Sequence, residues 1–197
     1  MEYNKIIFVS QTGTCREAMA AGIFGDFSLK HPVEVVSRGL VVQFPEPMNQ
    51  KAEAVLISNG INMEGFVSQQ LTEEDLTEDA LVLPMEEVQR ERILEQFENA
   101  IPENIHVLTS YVGDELEILD PYGGALPAYG LCYETLRKSI KKLVKKLNEN
   151  EGEYEHGKSS SYGSSADPAQ DWNYEKKGHR FQGVPYASKR SGNVRVL

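Results

Sequence analysis

Up to Leu147 the apolar positions follow two rhythms, short unbroken runs and longer stripes at three- and four-residue spacing. Ile6-Ile7-Phe8-Val9 is an unbroken run with β-branched content, the pattern of a central parallel strand buried on both faces. Val33-Glu34-Val35-Val36, stopped by Ser37-Arg38-Gly39, Ala80-Leu81-Val82-Leu83 and Ile105-His106-Val107-Leu108 repeat the theme, so four strands are expected. Between them Ala18, Met19, Gly22, Ile23 and Phe24 form a helical stripe that ends near Gly25-Asp26. Ala52, Val55 and Leu56 mark a helix over Asn49–Ser58, closed by Asn59-Gly60. Thr72-Glu73-Glu74-Asp75, a hydroxyl cap followed by acids, reads as a helix start. Val88, Ile93, Leu94 and Phe97 give the inward face of a helix over Glu86–Ala100. Leu136, Ile140, Leu143, Val144 and Leu147 give that of a long helix from Leu126 to Leu147. Strands alternating with helices predict an α/β fold: a four-stranded parallel sheet with helices on both faces, and ligands at the carboxyl ends of the strands.

The rhythm stops after Asn148. The remaining chain is rich in Ser, Gly, Tyr and charge, with Ser159-Ser160-Ser161-Tyr162-Gly163-Ser164-Ser165 as its clearest low-complexity patch. Its aliphatic residues are almost confined to Val184, Val194, Val196 and Leu197, too few to offset chain entropy. Residues 1–149 are therefore expected to form the domain and residues 150–197 a disordered extension. Trp172, Tyr174, Phe181, Tyr186 and the terminal Val194-Arg195-Val196-Leu197 are its candidate contacts for a protein partner.

Charge narrows the function classes. Residues 1–150 carry 13 Lys and Arg against 24 Asp and Glu, a net −11, while the rest is +1. A field of that sign repels nucleic acid and anionic membranes. Lys138, Lys141, Lys142, Lys145 and Lys146 read as the solvated face of the long helix. No run of about 18 apolar residues is present, the start Met-Glu-Tyr-Asn-Lys lacks signal-peptide character, and two cysteines make no disulfide framework. A cytoplasmic protein without metal or cofactor is expected.

The chemistry gathers where the first strand meets the first helix, in Ser10-Gln11-Thr12-Gly13-Thr14-Cys15-Arg16. Such a corner aims backbone N–H groups and a helix dipole at one point, and Arg16 adds a guanidinium fork suited to phosphate. The segment resembles the phosphate loop of the low-molecular-weight protein tyrosine phosphatases, which runs Cys, five residues, Arg, then Ser or Thr. Ile118-Leu119-Asp120-Pro121-Tyr122-Gly123-Gly124 is similar to that family's general-acid loop. Between them the stretch from Ser58-Asn59-Gly60-Ile61-Asn62 to Gln69-Gln70-Leu71-Thr72-Glu73-Glu74-Asp75-Leu76 follows the family's central segment. Thr14 and His106-Val107-Leu108-Thr109-Ser110-Tyr111-Val112-Gly113 lean towards the bacterial branch that includes protein-arginine phosphatases.

The resemblance implies the family's three-layer sandwich, with Ser10, Arg16 and Asp120 as the catalytic positions and Gln11, Thr12, Gly13, Thr14, Cys15 and Arg16 as the phosphate-binding ones. It also shows where the pattern breaks. Ser10 stands in the place of the nucleophilic Cys, and a serine hydroxyl is barely ionised at neutral pH. No neighbouring residue in the sequence presents itself as its base. Thr12 replaces the loop Gly, Gly13 the loop Asn, Glu17 the Ser or Thr after the Arg, Phe66 the central His and Gln69 a nearby Arg. An engineered exchange at position 10 does not account for so many departures; independent erosion of a catalytic loop does. Arg16 stands open between a phosphate-binding role and a structural pair with Glu17 or Asp120. Cys15 reads as a buried inert thiol.

The expected function is thus a phosphatase-fold protein, catalytically impaired, that binds a phosphorylated protein, a small anion or a protein partner. The alternative is an active protein-tyrosine or protein-arginine phosphatase whose native residue 10 is Cys. A relation to arsenate reductases lacks the redox cysteines.

Overall fold

The apolar run of the first strand builds the core in two halves. In the computed structural model, which describes residues 3–150, β1 (Lys5–Ser10) is the central strand. It pairs in parallel with β2 (Glu34–Gly39) on one side and β3 (Ala80–Pro84) on the other, in the order β2-β1-β3. Register sets Ile7 opposite Val36 and Val82. Successive side chains point to opposite faces. Ile6 and Phe8 therefore enter the larger core with α1 (Arg16–Phe24), α2 (Gln50–Ser58) and α5 (Leu126–Asn150). Ile7 and Val9 enter the smaller one, with Leu71, Leu76 and Ile93 of α3 (Glu87–Gln96). This is the expected α/β fold with a parallel sheet and helices on both faces.

The sheet has three paired strands, not the four expected from the sequence. Ile105 joins only through an isolated bridge to Val82, and the His106 N–H donates to the Val82 carbonyl at 3.0 Å. Ile105 is buried in the smaller core, and beyond it the chain stops following β3. It bends at Val107 into the short α4 (Leu108–Tyr111), which buries Leu108 in the larger core. Three boundaries also differ. β2 runs on through Ser37-Arg38-Gly39, because Arg38 is held there by Asp75 and Gly39 pairs with Ser10. The start at Thr72 yields only a 3₁₀ turn, Glu73–Asp75, and α5 continues to Asn150. In α3, Val88 is 51% exposed, and Gln89 is buried in its stead, its amide oxygen accepting the Met85 N–H. The expectations for the extension beyond residue 150 lie outside the described residues.

Gly39 ends β2 against the corner loop. A Cβ there would come within 2.8 Å of the backbone of Thr12 and Gly13, so only glycine permits the approach.

Candidate functional site

The corner after β1 forms as its residues dictate. Gly13 has φ +79°, a left-handed conformation open to Gly and, less readily, to Asn. The loop is tied down from outside: the Leu40 and Val41 N–H groups donate to the carbonyls of Ser10 and Gln11, and the Asn49 N–H to that of Thr14. Side chains add to this. The Thr12 and Thr14 hydroxyls lie 3.2 Å apart, and Arg92 reaches from α3 to the Gln11 amide oxygen at 2.8 Å.

Arg16 opens α1 and is 3% exposed. Its guanidinium donates to the Ile118 carbonyl at 2.7 Å and pairs with Glu86 at 2.5 Å and Asp120 at 3.2 Å. Of the two structural partners weighed from the sequence, Asp120 is the one it meets. Asp120 is half exposed, and its second oxygen accepts the Tyr122 N–H, the turn that Asp before Pro favours. A lysine on α2, Lys51, steadies the same loop through the Gly124 carbonyl. Ser10, the loop Gln11–Cys15, Arg16 and Asp120 are thus brought to one place at the carboxyl end of β1.

Glu17 changes the picture most. It is fully buried; one carboxyl oxygen accepts the Cys15 N–H at 3.0 Å, and the other has no partner with hydrogen-bond geometry. Burial raises its pKa, against the pull of the Ser10 hydroxyl, two backbone N–H groups and Arg16. Glu17 stands on the first turn of α1, beside the loop that Ser10 opens. The sequence reading had Glu17 as a charge beside the cradle and as a possible pair for Arg16; its full burial was not expected. Glu86 was missed as well. Its place just past β3, at the sheet edge where the loop lies, was the available signal. Cys15 and Cys132 are buried free thiols, both raised by burial, Cys132 to about 12. Neither is a thiolate at neutral pH.

The fold and this corner have counterparts. The family model of the low molecular weight phosphotyrosine protein phosphatases matches residues 5–153. The chain is 32% identical over 139 residues to the Low molecular weight protein-tyrosine-phosphatase PtpB of Staphylococcus aureus, covering 71% of this chain and 96% of that one. It is 30% identical to the protein-arginine-phosphatase of Geobacillus stearothermophilus, with coverage of 73% and 95%. The solved YwlE arginine phosphatase from Geobacillus stearothermophilus superposes with a TM-score of 0.71 at 30% identity, over 77% of this chain and 97% of that one. A mutant YwlE with serine in place of cysteine and a phosphorylated active-site serine gives 0.68 at 31%, over 74% and 97%. With this sheet, this corner and a family match over most of its length, the chain belongs to the low molecular weight phosphotyrosine protein phosphatases.

Proposed function

We propose that this chain recognises phosphorylated or acidic groups at the Ser10–Arg16 corner without efficient turnover. The observation that carries the reading is the Arg16 junction. The guanidinium sits at the loop but is already neutralised by Glu86 and Asp120, while the Glu17 carboxyl occupies the Cys15 amide. An incoming anion must compete with carboxylates the protein itself supplies, so binding is weak. The attacking group is a hydroxyl, so the low pKa that makes a loop thiol reactive is not available. Free thiols at Cys15 and Cys132 agree with a reducing, cytoplasmic setting. The partners this reading implies are a phosphorylated protein or a small phosphate; a protein partner on the extension rests on sequence alone.

Hydrolysis of p-nitrophenyl phosphate tests the reading. No turnover above background is expected, since loss of a nucleophile removes several powers of ten in rate. Turnover that disappears in Arg16→Ala overturns it. Inorganic phosphate should raise the melting temperature slightly, by linkage. Arg16→Ala should abolish that rise. One like-charge contact at such a site costs on the order of 1 kcal/mol, so Glu17→Ser should tighten phosphate binding about five-fold.

A second reading has one observation in its favour. A serine at the active site of the YwlE relative carries a phosphoryl group. An active phosphatase for phosphotyrosine or phosphoarginine, as PtpB and the arginine phosphatase are named, would show steady, Ser10-dependent release of phosphate.

A further inference from the structure

α3 meets the corner at two points. Glu86, at its start, pairs with Arg16, and Arg92, in its second turn, donates to the Gln11 amide oxygen at 2.8 Å. The two arginines are in opposite states. Arg16 is buried between carboxylates, whereas Arg92 is exposed and, among the described residues, pairs with no carboxylate. Glu91 and Glu95 stand on the same helix, the second at the three-residue spacing that suits an ion pair, yet the guanidinium turns to a neutral amide instead. An amide oxygen takes up one of its five N–H donors and none of its charge. Lys51, on the opposite face of the sheet, is committed to the Gly124 carbonyl and the Tyr129 ring. Around Arg92 the surface is apolar. Val88, one turn earlier on α3, and Val41, whose N–H donates to the Gln11 carbonyl, are each about half exposed.

We propose that Arg92, with the two valines beside it, is a specificity contact that selects phosphorylated peptides carrying an acidic side chain close to the phosphorylated residue. A carboxylate meets the donors that Gln11 leaves unused and supplies the counter-charge that Arg92 lacks. Val41 and Val88 give the peptide an apolar contact that a free phosphate ion does not make. The reach is short. One glutamine side chain and one hydrogen bond separate Arg92 from the loop backbone, about two residues of an extended peptide at about 3.3 Å each. Charge singles out this occupant. Residues 1–150 are net −11, so an acidic peptide is repelled by the domain at large and is held where a cation without a counter-charge faces it. The inference rests on the recognition proposed for the corner and names the class of its ligand, an acidic phosphopeptide.

The test compares two fluorescein-labelled phosphotyrosine peptides on the full chain. One has glutamate at the two positions on each side of the phosphotyrosine, the other alanine. At low salt the acidic peptide should bind about three- to five-fold tighter, the worth of one partly exposed charge pair. The readout is the ratio of the two affinities within each protein, which a general weakening of the corner does not move. Arg92→Ala should bring the ratio to about one, Arg92→Lys should keep most of it, and Arg92→Glu should reverse the preference. Thermal unfolding checks that each variant is folded. The preference should shrink as salt is raised, since the pair is exposed. Equal binding of the two peptides by the parent protein overturns the proposal, as does an unchanged ratio in Arg92→Ala. If neither peptide binds while inorganic phosphate still stabilises the protein through Arg16, the inference falls and the recognition reading stands. If peptides and phosphate both fail, the recognition reading falls and the inference falls with it.

Discussion

Glu17 is a wholly buried carboxyl at the start of α1. Burial holds its pKa above the value of an unfolded chain. Between the ordinary glutamate range and that raised value, the folded state binds a proton the unfolded state does not. Stability therefore falls as pH rises through this window, and the cost is fully present above it. Glu17→Gln carries no charge to bury. Its melting temperature should exceed that of the parent at neutral pH, by about 4 °C for each kcal/mol in a domain of this size. The advantage should vanish below about pH 4, where the parent's Glu17 is neutral in both states. A pH series of thermal unfolding checks this; equal slopes in the two proteins would count against a buried, shifted Glu17. At this scale the sequence was legible where chemistry is local. Ser10, Arg16 and Asp120 were readable as residues of one corner, and Cys15 as a buried thiol. The inward turn of Glu17 and the reach of Glu86 to Arg16 were not, since both depend on which way a side chain leaves the backbone.

Among the elements, the join of β1 to β2 depends on one carboxylate. Asp75, on the 3₁₀ turn near the end of the central segment, accepts from Lys5 of β1 at 2.9 Å and from Arg38 of β2 at 2.8 and 3.1 Å. Burial pushes its pKa up, but the bonds from Arg38 and Lys5 outweigh that and leave it lowered. A lowered carboxyl stabilises the fold above the ordinary aspartate range, and that stabilisation is lost as pH falls through the lowered value. Asp75→Asn strands two cations that are largely buried, at a cost of about 3 kcal/mol. A drop in the urea midpoint at pH 7, with little difference from the parent near pH 2, is the expected result. Element types were legible here because buried runs and helical stripes are periodic. What pattern alone could not show was where a buried run stops pairing. Ile105-His106-Val107-Leu108 has the composition of a strand, yet only Ile105 bridges β3 before the chain turns into α4. Gln89 takes the place of Val88 in the interior because its amide satisfies the Met85 N–H just past β3.

For the whole molecule, the relatives bear on the first three quarters of the chain. The matched part of this chain, 71% of it, covers 96% of PtpB. The family match ends at residue 153, and the last core side chains of α5 come earlier, at Val144 and Leu147. Among the described residues, both core clusters are built from side chains up to Leu147. Among the described residues no helix is long and apolar enough to cross a membrane. Removing residues 151–197 should leave the melting temperature within about 2 °C of the full chain, and the phosphate effect unchanged. A fall of about 5 °C or more, over 1 kcal/mol at this size, would mean that the extension docks on the domain. Its aromatic residues, Trp172, Tyr174, Phe181 and Tyr186, would be the first to replace with alanine. Loss of the phosphate effect alone, at constant melting temperature, would instead place the extension at the Ser10–Arg16 corner.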